Sequence, residues 1–489
     1  MQKTLRTSLL LFIAFFIGMA VIQFSTPNLP DNDGFYHIKM AWLMRTEGLT
    51  PEFIWLPKSI LNQNDFYDHH FLYHVALIPF TFGDLRVGAK LASVTFSALA
   101  FLAVWVLFDR QKIPFAWLWA LALLGISDAF LFRMSIPRAQ SLSLGILALG
   151  LLWMFEGKYK HLAVLSFFYV WTYNAFPLMI ALAGLYTFAI LLTEKRLDLR
   201  PVLWTSFGIF AGLVVNPYFP KNLTFTYHHF LSKLQLGESI KVGNEWYPYD
   251  TAQILNNSLL ALVALFSGSM ALGFSGRKMT VQTTTTFLIA LFFGMMMLNA
   301  RRFVEYFPPF ALIFSAFAWA PLFDFDNDSQ PTQSWMQKLP AGFLAFAILA
   351  GIVKSVPAVQ HQLGTSKPYD LYAGASFWLL QNSEEGELIF QTDWDDFPRL
   401  FYHNTYNTYL AGLDPTYFQL YNPELYNEWV SITQGDVANP SDKILSLFGS
   451  RFVISDLNHG DFIQQAENDP KMREVYRDGQ SVLFEIIEP

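Results

Sequence analysis

The chain has 489 residues, of which 53% are hydrophobic, 17% aromatic and only 15% charged. Soluble domains carry about 25% charged residues, and long apolar runs here indicate a polytopic membrane protein. Residues 356–489 contain 20 acidic and 7 basic side chains, a net charge of −13, so the remainder of this −7 chain is net +6. No part is basic enough to indicate nucleic acid binding, and the absence of cysteine excludes disulfides and thiol catalysis.

The first apolar run covers residues 9–24, follows Lys3 and Arg6, and lacks a small-x-small cleavage site. We therefore predict an uncleaved first span with the N-terminus in the cytoplasm. A polar external loop at 25–86 follows. Its segment 71–82 is apolar but shorter than the ~20 residues that a bilayer span needs, which predicts a helix lying at the membrane surface.

Further apolar runs extend the predicted fold class to a polytopic α-helical membrane protein with about 11 transmembrane helices. Basic side chains in the predicted cytoplasmic turns agree with the positive-inside rule, although the acidic segment 323–338 mildly disagrees. An odd number of spans places the C-terminal segment outside the cytoplasm. The predicted spans after the first are 87–108, 115–132, 139–156, 161–175, 176–193, 201–216, 255–274, 282–299, 306–322 and 339–356.

Two domains are predicted: a transmembrane body at 1–356 and an extracytoplasmic α/β domain at 357–489. The second has no apolar run long enough to cross a bilayer. Its hydrophobic patterns predict strands at 387–392, 408–413, 451–457 and 481–487, and helices at 441–449 and 461–469.

The external loop begins with an acidic motif, because residues 31–37 read DNDGFYH. An Asp just beyond a span lies where an apolar wall meets water, and there it can act as a general base or bind a divalent cation. Helix capping is the alternative, because Asp33 precedes an amphipathic run. Tyr36 and His37, which follow in the same motif, are candidate substrate-binding residues.

The layout of the whole chain resembles the C-type (GT-C) glycosyltransferases, which have an acidic motif after the first span, surface helices and a many-span body. Residues 32–35 (NDGF) resemble the first-loop motif of bacterial oligosaccharyltransferases. Residues 68–83 and 89–108 are similar to the surface helix and second span of protein O-mannosyltransferases and aminoarabinose transferases. The resemblance implies a polyprenyl-linked phosphate or diphosphate donor, and it assigns the catalytic position to Asp33, with Asp31 as the alternative.

A second cluster at 65–74 reads DFYDHHFLYH. His70 and His74 are four residues apart, a spacing that can chelate a metal ion, so a divalent cation held by these two and Asp33 stays open. The alternative is an aromatic-rich surface helix at the level of the lipid headgroups. We favour a substrate-binding or structural role here, with Asp68 and His69 as substrate-binding candidates.

Arg133 and Arg138 lie between the third and fourth predicted spans. Oligosaccharyltransferases place a second, metal-binding acidic motif in this region, whereas this chain has only Asp128 nearby. The departure puts a full carboxylate metal site in doubt. The two arginines could instead hold a donor phosphate, or contact lipid headgroups.

Arg301 and Arg302 follow the ninth predicted span, where external paired arginines are unusual. An arginine at this place can stabilise a departing phosphate, and members of the resembled superfamily often carry one in a late span or loop. Pairing with Glu305 or another acid is the alternative. The predicted external loop at 217–254 adds Glu245, which could supply a second carboxylate or be plain surface.

Residues 392–397 (TDWDDF) lie roughly where oligosaccharyltransferases have a Trp-Trp-Asp motif for the acceptor peptide. Only Trp394 and Asp395 match it, so peptide recognition is not carried over. An acceptor-facing loop that contains Trp394 and a plain strand-to-helix turn are both consistent with the pattern.

The sequence therefore predicts a glycosyltransferase of the plasma (inner) membrane. It would transfer a sugar from a polyprenyl-phosphate donor to a lipid, glycan or protein acceptor at the extracytoplasmic face. A lipid-linked donor accounts for the lack of a phosphate-binding loop. The alternatives are a lipid or glycan transporter or flippase, which predicts charges inside spans and inverted repeats, and a non-catalytic assembly factor of the cell envelope.

Overall fold

The computed structural model describes residues 2–235, 243–323 and 339–487. Among the described residues, helices make up most of the chain as far as Gly364, and a smaller part with one sheet follows. The helices of the first part are α1 (Gln2–Gln23), α2 (Asp33–Glu47), α3 (Phe71–Leu77), α4 (Leu85–Arg110), α5 (Ala116–Leu121), α6 (Asp128–Ser135), α7 (Gln140–Phe155), α8 (Tyr159–Thr172), α9 (Pro177–Glu194), α10 (Arg200–Val214), α11 (Lys221–Gln235), α12 (Thr251–Ser275), α13 (Val281–Asn299), α14 (Phe307–Phe323) and α15 (Leu339–Gly364).

Among the described residues, six helices are long and apolar enough to cross a membrane: α1, α4, α9, α12, α13 and α15. A seventh span results if Ala116–Leu124 and Asp128–Ser135, which meet at 79°, count as one. The polytopic helical class is thus confirmed, but the count of 11 spans is not. The other four predicted spans fall on α7, α8, α10 and α14, of 16, 14, 15 and 17 residues. Within the described residues, these four apolar helices are shorter than the ~20 residues usual for a span.

Close packing between α8 and α10 depends on two glycines one helical turn apart. A Cβ on Gly208 would overlap the carbonyl oxygen of Ala163, and one on Gly212 would lie 2.8 Å from that of Phe167. Small residues at this spacing let the backbones of apolar helices approach each other. Apolar contact thus holds these two helices together.

The acidic motif opens α2. Asp33 is the first residue of this helix, and the N-cap is Asn32, whose side chain makes no capping hydrogen bond. The capping alternative for Asp33 is therefore wrong. A Cβ on Gly34 would lie 3.0 Å from Cγ of Pro137, so this glycine lets the start of α2 approach the segment that carries Arg138.

The rest of the first polar loop folds against the C-terminal part. The indole nitrogen of Trp55 donates to the carbonyl of Thr405 at 2.8 Å, and the backbone nitrogen of Tyr409 donates to the carbonyl of Trp55 at 2.9 Å. The rings of Phe53 and Phe66 stack at 4.2 Å within the same apolar cluster. The apolar segment predicted as a surface helix is present as α3, which continues into a 3-10 turn at Ile78–Phe80.

The C-terminal part contains a five-stranded sheet in the order β2-β1-β3-β5-β4. Strand β1 is parallel to β2 and β3, and β5 is antiparallel to β3 and β4. Its elements are α16 (Ala373–Asn382), β1 (Leu388–Gln391), α17 (Phe397–His403), β2 (Thr408–Tyr409), α18 (Pro415–Tyr421), α19 (Pro423–Thr433), α20 (Ser441–Lys443), β3 (Phe452–Asp456), α21 (Gly460–Asn468), β4 (Met472–Arg477) and β5 (Ser481–Ile486).

The four predicted strands correspond to β1, β2, β3 and β5. The predicted helix at 441–449 begins as α20 and continues as a π-helix at Ile444–Phe448, and the second predicted helix is α21. Strand β4 was not predicted, because three of its six residues are exposed and its sequence, MREVYR, has no regular buried face. The parallel β1 ends directly before residues 392–397, and this places Trp394 at the carboxyl edge of the sheet, facing the helical body.

Candidate active site

A cavity of about 520 Å³ lies between the helical body and the C-terminal part. Both parts of the chain contribute charged side chains to its wall. The charged residues are Asp31, Asp33, Arg133, Arg138, Glu245, Arg302, Asp393, Asp395 and Asp414, and the rings include Tyr36, His37, His69, His70, Tyr173, His229, Trp246, Trp394 and Tyr417.

Arg138 joins the two acids of the first-loop motif. Its Nε lies 3.1 Å from Oδ2 of Asp33, and its Nη1 lies 3.3 Å from Oδ2 of Asp31. Both carboxylates keep about a quarter of their side-chain surface accessible, 23% and 26% respectively, so they face the cavity while paired. The sequence predicted both groups separately, but their pairing is visible only in the structure.

Glu245 lies among three arginines. Its carboxylate is 2.9 Å from Nη2 of Arg133, 3.4 Å from Nη1 of Arg302 and 3.7 Å from Nη1 of Arg138. The other partner of Arg133 is the buried Glu305, which accepts a hydrogen bond from Nε at 2.7 Å. The three arginines therefore form one cluster around Glu245. Together, and not through Arg302 alone, they stabilise its negative charge.

The pKa values of the two cavity carboxyl groups move in opposite directions. Burial raises the pKa of Asp33 to about 6; Arg138 opposes this rise, while the charges of Asp31 and Glu245 add to it. Burial alone would also raise the pKa of Glu245, but the arginines around it hold that pKa well below its usual range. Near neutral pH, Glu245 is a fixed anion and Asp33 is a carboxylate that can take up a proton.

The C-terminal part adds a further acid to the same wall. The side-chain amide of Asn32 donates to Oδ2 of Asp395 at 2.6 Å, and its oxygen accepts from Nε of the buried Arg399 at 2.5 Å. Burial, together with the nearby charge of Asp31, holds the pKa of Asp395 well above its usual range. These contacts fix the turn that carries Trp394 against the start of α2.

The histidine cluster lies behind α2. Nδ1 of His37 is 2.7 Å from Nε2 of His74, whose Nδ1 is in turn 2.7 Å from Oδ2 of Asp68. His37, His69 and His70 line the cavity, whereas His74 and Asp68 are enclosed behind them. Of the substrate-binding candidates in this cluster, Asp68 is therefore the one that does not face the cavity.

Asp33, His70 and His74 are not placed to share a divalent cation. No group of three or more His, Cys, Asp or Glu side chains is placed to hold a metal ion in the part of the chain that the structure describes. Asp31 and Asp33 share the guanidinium of Arg138, and both ring nitrogens of His74 are hydrogen-bonded. A metal site made of Asp33, His70 and His74 is thus not formed.

The two arginines of the late turn point to different places. Arg302 lines the cavity, lies 4.2 Å from the ring of Trp246 and donates from Nη2 to the hydroxyl of Tyr173 at 3.2 Å. Arg301 instead donates to the backbone carbonyls of residues 247 and 248, outside the cavity lining. Glu305 pairs with Arg133 and not within this turn, but Arg302 pairs with another acid, Glu245, at 3.4 Å, so the alternative of an ion pair holds for Arg302.

Sequence reasoning missed Tyr173 and Tyr417, which line the cavity from α8's end and from α18. Tyr173 ends a predicted span, and Tyr417 belongs to a helix that was not predicted. An aromatic residue at the end of an apolar helix is common at membrane interfaces, so no local signal separated Tyr173 from an ordinary anchor.

No family model matches the sequence, and no curated protein is similar to it in sequence. Solved structures are similar in fold. The archaeal oligosaccharyltransferase AglB from Archaeoglobus fulgidus, in complex with an inhibitory peptide and a dolichol-phosphate, has a TM-score of 0.66 at 13% identity, over 94% of this chain and 71% of that chain. ArnT from Cupriavidus metallidurans bound to undecaprenyl phosphate has a TM-score of 0.56 at 15% identity, over 97% of both chains.

The arabinofuranosyltransferase AftD from Mycobacteria has a TM-score of 0.59 at 12% identity, over 99% of this chain but only 40% of that one. At such identities the likeness concerns the fold. All three neighbours are GT-C glycosyltransferases, as the resemblance in the sequence predicted. The chain has the fold of the C-type (GT-C) glycosyltransferases.

Proposed function

We propose that this protein is a membrane glycosyltransferase that transfers a sugar from a polyprenyl phosphate to an acceptor hydroxyl at the extracytoplasmic face. The observation that carries the proposal is one cavity in which Asp33 faces a cluster of three arginines. Two neighbours of the same fold were solved with dolichol-phosphate and with undecaprenyl phosphate, which supports a lipid-linked donor.

The chemistry divides between the two sides of the cavity. Asp33, ionised near neutral pH, takes the proton of the acceptor hydroxyl as its oxygen bonds to the anomeric carbon. The bond from that carbon to the phosphate oxygen breaks, and its electron pair stays with the phosphate. Arg302, Arg133 and Arg138 face the developing charge, and fixed guanidinium groups in a water-poor site stabilise it well.

The proposed site also favours an enzyme over a transporter. A transporter would place its charged residues along a path through the helical body. Here Asp33, Arg138 and Arg302 instead gather at one end of the body, beneath the C-terminal part. Trp394 and Asp395 of that part close the acidic side, where we place the acceptor.

Asp33→Asn tests the proposal. Membranes with and without the protein are first compared by mass spectrometry of their glycans, glycolipids and glycoproteins, which identifies the sugar and the acceptor. Transfer is then measured with the purified protein and the matching polyprenyl-phosphate sugar. Removing the proton acceptor should lower the transfer rate by about 10²- to 10⁴-fold.

The matched control is Asp65→Asn, an exposed acid of the same loop that pairs with Asn62. It should transfer sugar at the wild-type rate. Near-normal transfer by the Asp33→Asn protein would refute the assignment of the base. Envelope glycans that are unchanged when the protein is removed would refute the proposed function itself.

A further inference from the structure

Asp68, His74 and His37 form a hydrogen-bonded chain that ends at the cavity. Oδ2 of Asp68 and Nδ1 of His74 are 2.7 Å apart, as are Nε2 of His74 and Nδ1 of His37. All three residues are at most 3% exposed. The second oxygen of Asp68 accepts from the backbone nitrogen of His70 at 3.0 Å.

The direction of each hydrogen bond follows from the carboxylate. Asp68 accepts through both oxygens, an arrangement that favours the ionised, acceptor-only form. His74 must therefore carry its proton on Nδ1, which leaves its Nε2 as an acceptor. Nδ1–H of His37 donates to that nitrogen, and the neutral ring of His37 keeps Nε2 unprotonated.

Ring nitrogens in the cavity wall beside the Asp68–His74–His37 hydrogen bonds lack protein partners. Nδ1 of His37 is hydrogen-bonded to His74, and Nε2 of His37 has no hydrogen bond among the described residues. The neighbouring ring of His70, 4.8 Å away by centroid, also lines the cavity, is 93% buried, and has no hydrogen-bond partner at either nitrogen. Buried polar atoms in native structures nearly always have a partner, so a polar group of a ligand is the fitting partner.

We propose that Asp68 and His74 are positioning residues that hold His37 in one tautomer, so that its unprotonated Nε2 accepts a hydrogen bond from a substrate hydroxyl. The proposal rests on the proposed function, because that function supplies a hydroxyl-rich substrate. His37 follows Asp33 by four residues and lies on the same face of α2. The two side chains thus contact the same bound substrate, where Asp33 takes the proton and His37 orients.

Other charged and titratable groups face His37 from every neighbouring element. They are Asp33 and Tyr36 of α2, His69 and His70 before α3, Tyr73 of α3, and Arg138 after α6. Burial, together with His74 and Arg138, keeps the pKa of His37 well below its usual range. The ring therefore stays neutral in the range where transfer would be measured, as a hydrogen-bond acceptor must.

Asp68→Asn is a sharp test, because the backbone of His70 dictates how the new amide must lie. Its oxygen keeps the hydrogen bond from the His70 nitrogen, so its NH₂ group faces Nδ1 of His74. His74 must then carry its proton on Nε2, and His37 must carry its proton on Nε2 as well. Nitrogen-15 NMR of histidine-labelled full-length protein, assigned with His37→Gln, reads these tautomers without any substrate.

The wild-type protein should show His37 protonated on Nδ1, and Asp68→Asn should reverse this. The kcat/KM of Asp68→Asn should be about 10- to 100-fold lower than that of the wild-type protein. If the hydroxyl that His37 binds belongs to the donor sugar, the KM of the donor should rise. If it belongs to the acceptor, the KM of the acceptor should rise. His37→Gln, which keeps an acceptor oxygen, should retain more activity than His37→Leu. His161→Gln, an exposed histidine outside the cavity, is the control.

A wild-type His37 protonated on Nε2 would overturn the proposal, as would unchanged tautomers in Asp68→Asn. Reversed tautomers with wild-type KM and kcat would overturn the substrate contact while leaving the proposed function intact. Should Asp68→Asn not fold, the wild-type tautomer and the comparison of His37→Gln with His37→Leu decide alone. If the wild-type protein transfers no sugar, the proposed function fails. The tautomer measurement needs no substrate, so it tells this failure apart from a failure of the His37 hydrogen bonds.

Discussion

Arg138→Gln separates two roles of the Arg138 guanidinium: it lowers the pKa of Asp33, and in the proposed reaction it stabilises the departing phosphate. Arg138 pairs with Asp33 at 3.1 Å and with Asp31 at 3.3 Å, and lies 3.7 Å from Glu245. In the wild-type protein the base has a pKa of about 6 and must be ionised, so transfer should fall as the pH drops through about 6. Without Arg138, the same carboxyl group remains buried beside the charges of Asp31 and Glu245, and only the weaker effect of Arg133 opposes them.

The size of the effect follows from what an adjacent cation does. An opposite charge within ~4–6 Å lowers the pKa of an Asp by about 1–3 units. Its removal should therefore move the acid limb of the pH–rate profile upward by about 1–3 pH units. Below that limb each pH unit costs about tenfold in rate. The plateau above it should also drop by about 10²-fold, because one group that stabilises the phosphate is lost.

The assay is the transfer rate, as kcat/KM, from pH 5 to pH 9.5 for purified wild-type and variant proteins. Arg138→Gln should be nearly inactive at pH 7 and partly recover in alkaline buffer. Adding Asp31→Asn removes a charge that raises the pKa of Asp33, and should move the limb back down. Arg110→Gln, whose exposed guanidinium pairs with Glu156, is the control.

An Arg138→Gln profile with its acid limb at the wild-type pH would refute the reasoning. The ion pair would then not set the protonation of the base, or Asp33 would not be the base. A lower plateau alone, without any shift, would leave Arg138 only a phosphate-binding role.

Two further predictions concern the arginine cluster. Arg302→Ala should lower the transfer rate by about 10²- to 10³-fold. Arg301→Ala should change the rate only a few-fold, because the Arg301 side chain bonds to backbone carbonyls outside the cavity. Equal losses in the two variants would contradict the assignment of phosphate binding to Arg302 and not Arg301. Glu245→Gln should tighten the binding of bare polyprenyl phosphate by about tenfold. The reason is that the Glu245 carboxylate pairs with three guanidinium groups and so competes with a phosphate for them. Native mass spectrometry measures this binding. Weaker binding would mean that Glu245 contacts the substrate directly.

Part of the molecule follows from local sequence alone. The length of an apolar run is a property of neighbouring residues, so long helices such as α4 and short, fully buried strands such as β3 are predictable. Local signals fail where context decides. Four predicted spans form helices of only 14 to 17 residues within the described part of the chain, so the count of 11 is not confirmed, and strand β4 pairs with β5 although no local pattern marks it.

The candidate site shows the same division. Residue types and their positions beside apolar runs singled out Asp33, Arg138 and Arg302, all of which line one cavity. Nothing local separated Arg302 from Arg301, because adjacent residues of a 3-10 turn point in different directions and only the surrounding elements define which direction is the cavity.

What the sequence by itself determined is the inventory: apolar helices, an α/β domain, and acids and arginines near helix ends. Tertiary structure alone decided the partners, since Asp31 and Arg138 are 107 residues apart and Arg133 and Glu305 are 172 apart. An ion pair depends on a few ångströms of separation and on burial. Those quantities exist only after the helices have packed and the C-terminal part has closed the cavity.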